Sequence, residues 1–195
     1  MRGLILASAS PRRADLLSSA GYRFSVVQAH TAELMADFLS PRELTLFNAR
    51  RKAFAVAQRH PESVVMAADT IVALGPKILG KPKDFLEARS FLEQLSGRSH
   101  VVVSGVAIVL HAESRAVYEV AHSEVRFRKL TTTDIEHYLA RSDPLDKAGG
   151  YAAQTDSSII ESVAGSFTNV VGLPMEVVAE CLNQFEILPA RAGDQ

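Results

Sequence analysis

The sequence predicts an α/β protein with a mixed central sheet flanked by helices. Apolar runs of strand length alternate with well-capped helices in the first half of the chain, a pattern typical of α/β folds. In the second half, two long apolar runs are joined by a short polar turn, which indicates an antiparallel pair. With 195 residues, of which 47% are hydrophobic, the chain can bury a substantial core.

The segment Leu4–Leu17, LILASASPRRADLL, contains the first strand and the first helix. Three apolar residues indicate a buried strand, Ser10 is a favourable N-cap and Pro11 is a favourable first helical residue. Two arginines follow, and cations in a first turn oppose the helix dipole. They are either simply solvated or bind an anion together with nearby hydroxyls and free amides. The candidate phosphate ligands are Ser8, Ser10, Arg12 and Arg13.

The second helix supplies a further cation. A Ser-Pro-Arg-Glu capping box at residues 40–43 predicts a helix that runs to about Arg59. Most basic residues of this helix should be solvated, but Lys52 could face the same anion site. In the preceding segment, residues 28–39, the apolar residues follow neither the helix period nor the strand period, so this segment is predicted as a loop. It contains Glu33, and a lone glutamate in a loop usually faces solvent.

A single acid interrupts the apolar run Val64–Ala73, VVMAADTIVA. An aspartate in a buried strand loses its hydration unless it meets cations, a metal or hydrogen-bond donors, so Asp69 is predicted to be functional. If it lies where a parallel strand ends, it faces the crevice in which open α/β sheets bind ligands, with Thr70 beside it. Lys81 follows in a Gly-Lys-Pro turn, where a phosphate contact is reasonable but not required.

The remaining elements are predicted from caps, turns and periodicity. The loop 143–151 ends in Gly-Gly-Tyr, and its glycines would let the backbone approach a ligand closely. The predicted elements are a helix with apolar positions from Phe85 to Leu95, strands at 101–110 and 117–128, a helix capped by Thr133 and Glu136, a strand near 159–163, a loop and strand edge at 165–172, and a helix from Pro174 to about Asn183.

Composition and motif spacing exclude several function classes. A formal net charge of -1 gives no global field that favours nucleic acid or an anionic membrane. No apolar run approaches the ~20 residues of a membrane span, and the single cysteine cannot form an internal disulfide, so a cytoplasmic protein is predicted. Cys181 lies in an apolar helical stretch and is predicted to be a buried small hydrophobe rather than a nucleophile.

The absence of common cofactor and metal motifs disfavours several classes of enzyme. The chain has neither a P-loop nor a GxGxxG motif, which disfavours kinases, GTPases and dinucleotide enzymes. Its six histidines lack the spacing of a zinc site, and His100 and His122 are predicted to lie on the sheet surface. Phosphoryl or nucleotidyl chemistry remains, because arginines and lysines neutralise phosphate oxygens while carboxylates hold Mg²⁺ or orient a water.

Six motifs occur in an order that resembles one known family. They are LASASPRR, AADTIV, GKPKD, LSGRSHVVVSGVAI, PLDKAGGYAAQ and GSFTNVVGLP. Together they resemble the Maf family of nucleoside triphosphate pyrophosphatases, also called septum-formation-inhibitor proteins. The resemblance implies cleavage between the α and β phosphates with Mg²⁺ or Mn²⁺, and commonly a homodimer. It also implies a fold similar to the inosine triphosphate pyrophosphatases, with two lobes around a deep cleft, here as one domain at 1–188 followed by a flexible tail at 189–195.

The resemblance also implies roles for individual residues. Asp69 matches the general base that takes a proton from the attacking water, and Glu33 matches a second acid that binds metal or water. Both acids are therefore the candidate metal ligands. The basic positions that hold the triphosphate and stabilise the leaving pyrophosphate correspond to Arg13, Lys52 and Lys81, and the phosphate end is lined by residues that correspond to Ser8 and Ser10.

Three positions resemble the branch of the family that acts on dTTP and UTP. These are Arg12, Thr70 and Gln154, and the last two can pair with the edge of thymine or uracil. The chain departs from many members at residues 155–157, Thr-Asp-Ser, where a glycine follows the glutamine in those members. The alternatives are a pyrophosphatase for 7-methyl-GTP or other purine nucleotides, and a nucleotide-binding regulator of septum formation.

Overall fold

The computed structural model describes residues 2–36 and 38–190. The strands are β1 Leu4–Leu6, β2 Ser25–Val26, β3 Val64–Leu74, β4 Lys77–Leu79, β5 Ser99–Leu110, β6 Arg115–Phe127 and β7 Ile160–Ala164. The α-helices are α1 Pro11–Ser19, α2 Pro41–Ala57, α3 Phe85–Leu95, α4 Thr132–Arg141, α5 Phe167–Val171 and α6 Met175–Gln184. Short 3-10 turns lie at His111–Glu113 and Ala148–Gly150.

The strands form one mixed sheet in the order β2-β1-β3-β5-β6-β7, with β4 paired to β3. β1 is parallel to both of its neighbours, β2 and β3, whereas β4 and β7 run antiparallel to their partners. β5 and β6 are sheet neighbours joined through the short turn at His111–Glu113, which gives the hairpin that the sequence predicts. The predicted α/β class with a mixed sheet is confirmed.

The chain divides into two compact units. The first comprises the described residues of Met1–Asp69, Ser104–Ala121 and Gly172–Gln195. Alternate residues of its strands cover opposite faces of the sheet. On one face, Leu4, Leu6, Val64 and Met66 pack with Leu17 of α1 and with Val178, Cys181 and Leu182 of α6. On the other, Ile5, Ala7, Val65 and Ala67 pack with Ala49, Ala53, Val56 and Ala57 of α2.

Small side chains bring α2 close to the sheet. The face it covers carries Ala67 and Ala107, and the helix itself presents Ala49 and Ala53. A Cβ atom on Gly105 of β5 would lie 2.6 Å from backbone atoms of the helix, so only glycine fits there. Because the helix backbone lies this close, its longer polar side chains can reach the buried face of β3.

The second unit comprises Thr70–Val103 and His122–Val171. Its core is built from the inner face of α3, from the strands and from Tyr138 of α4, and it includes Phe91, Leu92, Leu95, Val125 and Phe127. Phe85, predicted as a core residue, is exposed because it is the first residue of α3 and precedes the buried turns.

Two predictions of secondary structure in the second unit are wrong. The segment 165–172 contains helix α5, which begins after Ser166, whose hydroxyl accepts a hydrogen bond from the Asn169 amide at 3.1 Å. The capping box of α4 lies two residues earlier than predicted, at Thr131 and Asp134. Asp134 is also held by two hydrogen bonds from Arg128, at 2.9 and 3.2 Å, so its carboxylate is fixed at the helix start.

The structure describes only the beginning of the predicted C-terminal tail, residues 189–195. Of this tail, residues 191–195 lie outside the described residues, and the Ala190 amide donates to the Gly21 carbonyl at 2.8 Å. Gly21, which follows the end of α1, has a φ of 82°, in the left-handed region that favours glycine. Among the described helices, none is long and apolar enough to cross a membrane.

Candidate active site

Asp69 lies on the face of β3 that α2 covers, because it continues the alternation of Val65 and Ala67. It is 5% exposed, which confirms the buried acid that the sequence predicts. It does not lie at a strand end, because β3 continues to Leu74 and pairs there with β4. Its parallel neighbour β1 does end, with Leu6 opposite Met66, so Asp69 lies just beyond the end of β1.

Lys52 of α2 joins the two candidate acids. Its Nζ donates to Oδ1 of Asp69 at 2.7 Å and to Oε1 of Glu33 at 2.7 Å. Lys52 is only 8% exposed, so this lysine is not one of the solvated cations of the helix. The Glu33 side chain is 40% exposed, and the lysine therefore connects a buried carboxylate to one at the surface. Since replacing a buried ion pair by apolar residues is often neutral or stabilising, this pair is weak evidence for stability and suggests a chemical role.

Asn48 is a member of the site that the sequence analysis missed. It lies four residues before Lys52, hence on the same face of α2, and is 3% exposed. Its Nδ2 donates to Oδ2 of Asp69 at 3.1 Å and to the Leu34 carbonyl at 3.0 Å, while its Oδ1 accepts from the Leu34 amide at 2.9 Å. The sequence offers only a weak signal, the spacing of four between an asparagine and the candidate Lys52.

Arg13 connects three segments of the first unit. Its Nε donates to the Gly172 carbonyl at 2.9 Å, and its Nη1 donates to the Ala68 carbonyl at 2.8 Å and to Ser8 Oγ at 3.3 Å. Ser8 is buried, and its hydroxyl also accepts from the Ser10 amide at 3.2 Å. The guanidinium is therefore oriented next to the residue that precedes Asp69.

The start of α1 differs from the starts of α2, α3 and α4. Ser10 is the N-cap by backbone conformation, but its side chain makes no capping hydrogen bond. The first turn contains no acid and carries Arg12 and Arg13, whereas the other three helices have both a side-chain cap and a first-turn acid. This arrangement suits an anion at the start of α1.

Charges of both signs meet around Arg13. Burial lowers the pKa of the Arg13 guanidinium, and the positive charge of Arg12 adds to this effect. The negative charges of Asp69 and Glu33 act in the opposite direction and raise the pKa. Arg13 thus lies within electrostatic reach of both carboxylates.

The other predicted site residues belong to the second unit. Lys81 is exposed after β4, Gln154 is exposed in a turn, and Thr70 is half-buried. Because successive strand residues point to opposite faces, the Thr70 side chain projects away from the face of β3 that carries Asp69.

The paired glycines of the loop before Gln154 pack against protein. The Gly149 amide donates to the Gly80 carbonyl at 3.0 Å, beside Lys81. Gly149 has a φ of 70°, and a Cβ atom there would lie 2.9 Å from Cγ2 of Val72. The close contact with Val72 and the positive φ explain why residue 149 is a glycine, with no need for a nearby ligand. The hydrogen bond to Gly80 fixes the segment that carries Lys81.

Two carboxylates are available for a metal in this cluster. Asp69 and Glu33 both accept hydrogen bonds from the Lys52 ammonium, and each carboxylate keeps lone pairs on its oxygens for a further ligand. Such a pair fits Mg²⁺, which proteins commonly bind through one or two carboxylates together with substrate phosphates. Within residues 2–36 and 38–190, no group of three or more His, Cys, Asp or Glu side chains could hold a metal ion.

Comparison with known proteins identifies the family. The family model described as Maf-like protein matches residues 3–185. The chain belongs to the Maf-like family. This Maf-like chain is 49% identical over 183 residues to a protein of Akkermansia muciniphila named dTTP/UTP pyrophosphatase, covering 92% of this chain and 95% of the relative. A Bacillus cytotoxicus protein of the same name is 42% identical over 187 residues, covering 95% and 97% of the two chains.

A solved structure shares the fold of this Maf-like chain. The HAM1 protein from Coxiella burnetii superposes with a TM-score of 0.52 at 14% sequence identity, covering 94% of this chain and all of that one. At this identity the likeness concerns the fold alone. The predicted family is confirmed, whereas the deep cleft that the resemblance implies stays a prediction.

Proposed function

We propose that this chain hydrolyses dTTP and UTP, and modified pyrimidine nucleotides, to the monophosphate and pyrophosphate. The observation that carries the proposal is the 49% and 42% identity, over nearly the whole chain, to proteins named dTTP/UTP pyrophosphatase. The cluster of Asp69, Lys52, Glu33 and Asn48 supports it, because a hydrolase of this kind needs a held carboxylate near cations.

Asp69 is the proposed general base. Its two oxygens accept from Lys52 and Asn48, and each carboxylate oxygen can accept more than one hydrogen bond. The carboxylate can therefore accept a proton from a water that attacks the α phosphorus. The bond from this phosphorus to the oxygen bridging to the β phosphorus breaks, and the pyrophosphate leaves with the electron pair.

Asp69 and Glu33 are the proposed ligands of a divalent cation, Mg²⁺ or Mn²⁺. When bound, such a cation neutralises phosphate charge and helps to orient the reacting groups. The chain's own contribution is to hold the two carboxylates on either side of the Lys52 ammonium before the nucleotide arrives.

The remaining roles rest on the motifs. Arg13, Lys52 and Lys81 are proposed to stabilise the triphosphate and the leaving pyrophosphate, and the phosphate end is proposed to contact Ser8 and Ser10. Arg12, Thr70 and Gln154 are proposed to select the pyrimidine base. A homodimer, a cytoplasmic location and a part in septum formation stay predictions.

A panel of nucleoside triphosphates tests the proposed function. The protein is incubated with Mg²⁺ and dTTP, UTP, CTP, ATP, GTP or 7-methyl-GTP, and monophosphate and pyrophosphate are quantified separately. We expect equimolar monophosphate and pyrophosphate, formed fastest from dTTP and UTP. Fastest cleavage of 7-methyl-GTP or another purine nucleotide, or release of inorganic phosphate with a diphosphate, would contradict the proposal.

A further inference from the structure

Asn48 uses its whole side-chain amide within the site. Its two amide protons have acceptors in the Leu34 carbonyl and Oδ2 of Asp69, and its oxygen accepts from the Leu34 amide. Rotating the amide by 180° would turn its oxygen towards the carboxylate of Asp69 and its protons towards the Leu34 amide. Both contacts would then be repulsive, so the surrounding groups fix the orientation of Asn48.

Asn48 and Lys52 form two parallel bridges one helical turn apart. Lys52 joins the Asp69 carboxylate to the side chain of Glu33, and Asn48 joins the same carboxylate to the backbone of Leu34. The two bridges bind different oxygens of Asp69, Oδ1 and Oδ2. The carboxylate is therefore fixed both in position and in rotation about its own axis.

The second bridge matters because Glu33 lies in a segment without helix or strand. No regular backbone pairing holds residues 28–36. The Asn48 side chain accepts a hydrogen bond from the Leu34 amide and donates one to the Leu34 carbonyl, and this pair supplies the local anchor that a neighbouring strand would otherwise provide. Without this anchor, the segment would keep the Lys52 contact to Glu33 and the hydrogen bond from Arg51 Nη1 to the Ala32 carbonyl at 3.1 Å, but it would lose both backbone hydrogen bonds at Leu34.

We propose that Asn48 is a positioning residue of the hydrolytic site. It fixes the direction of the Asp69 carboxylate and clamps the Leu34 backbone, so that Glu33 and Asp69 face each other across Lys52. Asn48 acts through these groups without contacting the substrate. The inference rests on the proposed function and adds to it a residue that none of the recognised motifs contains.

The test compares Asn48→Leu with Thr45→Val, a matched change on the same helix. Thr45 is also buried, and its hydroxyl donates to the carbonyls of Pro41 and Arg42 without reaching Asp69. With dTTP and Mg²⁺, we expect Asn48→Leu to lower kcat by about tenfold to a hundredfold at an unchanged KM, because a misdirected carboxylate costs rate rather than binding. Thr45→Val should keep the kcat of the wild type.

A second readout is independent of activity. Hydrogen exchange of the Leu34 amide, followed by NMR, should be slow in the wild type and in Thr45→Val, and fast in Asn48→Leu. Asn48→Asp separates the two contacts, because it keeps an acceptor for the Leu34 amide but places a carboxylate beside Asp69. We expect this variant to protect the Leu34 amide more than Asn48→Leu does, while its kcat is at least as low.

Several outcomes would overturn the inference. Wild-type kcat in a folded Asn48→Leu protein would do so, as would a rise in KM alone or an equal loss of kcat in Thr45→Val. If Asn48→Leu does not fold, the nearly isosteric Asn48→Asp carries the same test. A wild type that cleaves no nucleotide overturns the proposed function and this inference together, whereas an active wild type with an unaffected Asn48→Leu variant overturns the inference alone.

Discussion

Two clusters of polar side chains, one in each unit, offset the cost of burying polar groups in opposite ways. The charged cluster of the first unit consists of Asp69, Lys52, Glu33 and Asn48. The neutral cluster of the second unit consists of His100 and Tyr151 packed around Phe127. The first places ions in the protein interior, and the second keeps its titratable groups uncharged.

The neutral cluster is a structural unit. His100 is 2% exposed, its Nε2 lies 2.8 Å from the Tyr151 hydroxyl, and its ring meets Phe127 edge to face at 4.9 Å. Burial lowers the pKa of His100 to about 4 and raises the pKa of Tyr151, so both are neutral at pH 7. Hydrogen bonding and aromatic packing without charge stabilise this part of the sheet.

The comparison of the two clusters indicates that the chain keeps buried charge at the proposed site of chemistry. Apolar replacements of a buried ion pair are often neutral or stabilising, so a fold does not need one for stability alone. The charged cluster holds the proposed general base and the proposed metal ligands, whereas the neutral cluster needs no chemical role to explain it. Variants in the two clusters should therefore separate activity from stability.

The largest expected effect is on turnover, in the charged cluster. Asp69→Asn keeps the size of the side chain and an acceptor for Lys52 but removes the basic oxygen. We expect kcat for dTTP to fall by about 10²–10⁴-fold, the usual contribution of a general base, with nucleotide binding retained. Steady-state kinetics and a binding titration with dTTP check this, and wild-type turnover would break the assignment.

The next effect is on stability in the same cluster. Lys52→Met leaves the buried Asp69 carboxylate without its cation, so we expect the free energy of unfolding to fall by about 3–5 kcal/mol. Arg42→Met, which removes an exposed cation from the same helix, should change it by less than about 0.5 kcal/mol. Urea unfolding followed by circular dichroism measures both, and equal values would show that the Lys52 charge is not needed for folding.

In the neutral cluster, pH should control stability through His100. Burial lowers the pKa of His100 from 6.5 to about 4, so the unfolded state gains the proton first as the pH falls. Stability is full above pH 6.5, and about 3 kcal/mol of it is lost between pH 6.5 and 4. The pH dependence of the free energy of unfolding should become weaker in His100→Gln and stay unchanged in His122→Gln, because His122 is exposed. Urea unfolding at several pH values between 4 and 6.5 tests this, and an unchanged pH dependence in His100→Gln would contradict it.

The charged cluster was largely predictable because its residues violate local rules. Asp69 interrupts a buried strand, so it demands a partner that the sequence itself does not display, and Glu33 was found through the family resemblance. Lys52 had two interpretations on the sequence alone. Its bonds to Asp69 and Glu33 rule out a solvated side chain, whereas its contact with a bound anion stays a prediction. Asn48 breaks no local rule, which is why the sequence analysis missed it.

The neutral cluster could not be predicted for the opposite reason. His100 was expected on the sheet surface and is buried, so that prediction is wrong. Its hydrogen-bond partner Tyr151 lies 51 residues further along the chain, after the 3-10 turn Ala148–Gly150, and only folding brings the two together. A strand pattern with apolar residues on both faces does not show which neighbouring side chain will satisfy a histidine.

The smallest expected effect is on stability, in the Tyr151→Phe variant of the neutral cluster. Tyr151→Phe keeps the aromatic packing but leaves the buried Nε2 of His100 without the hydroxyl. We expect a loss of about 1–3 kcal/mol in the free energy of unfolding, with kcat for dTTP unchanged. Thermal unfolding and steady-state kinetics on the same preparation check both parts. A fall in kcat without loss of stability would show that Tyr151 contributes to the reaction.

The most direct test of the contrast measures dTTP turnover for Asp69→Asn and His100→Gln in one assay at pH 7.5. Each protein is first shown to be folded by circular dichroism at the assay temperature. The predicted result is a kcat at least about 10²-fold below wild type for Asp69→Asn and within about threefold of wild type for His100→Gln. Near-wild-type turnover in Asp69→Asn, or an equal loss in a folded His100→Gln protein, would contradict the assignment of the reaction to the charged cluster.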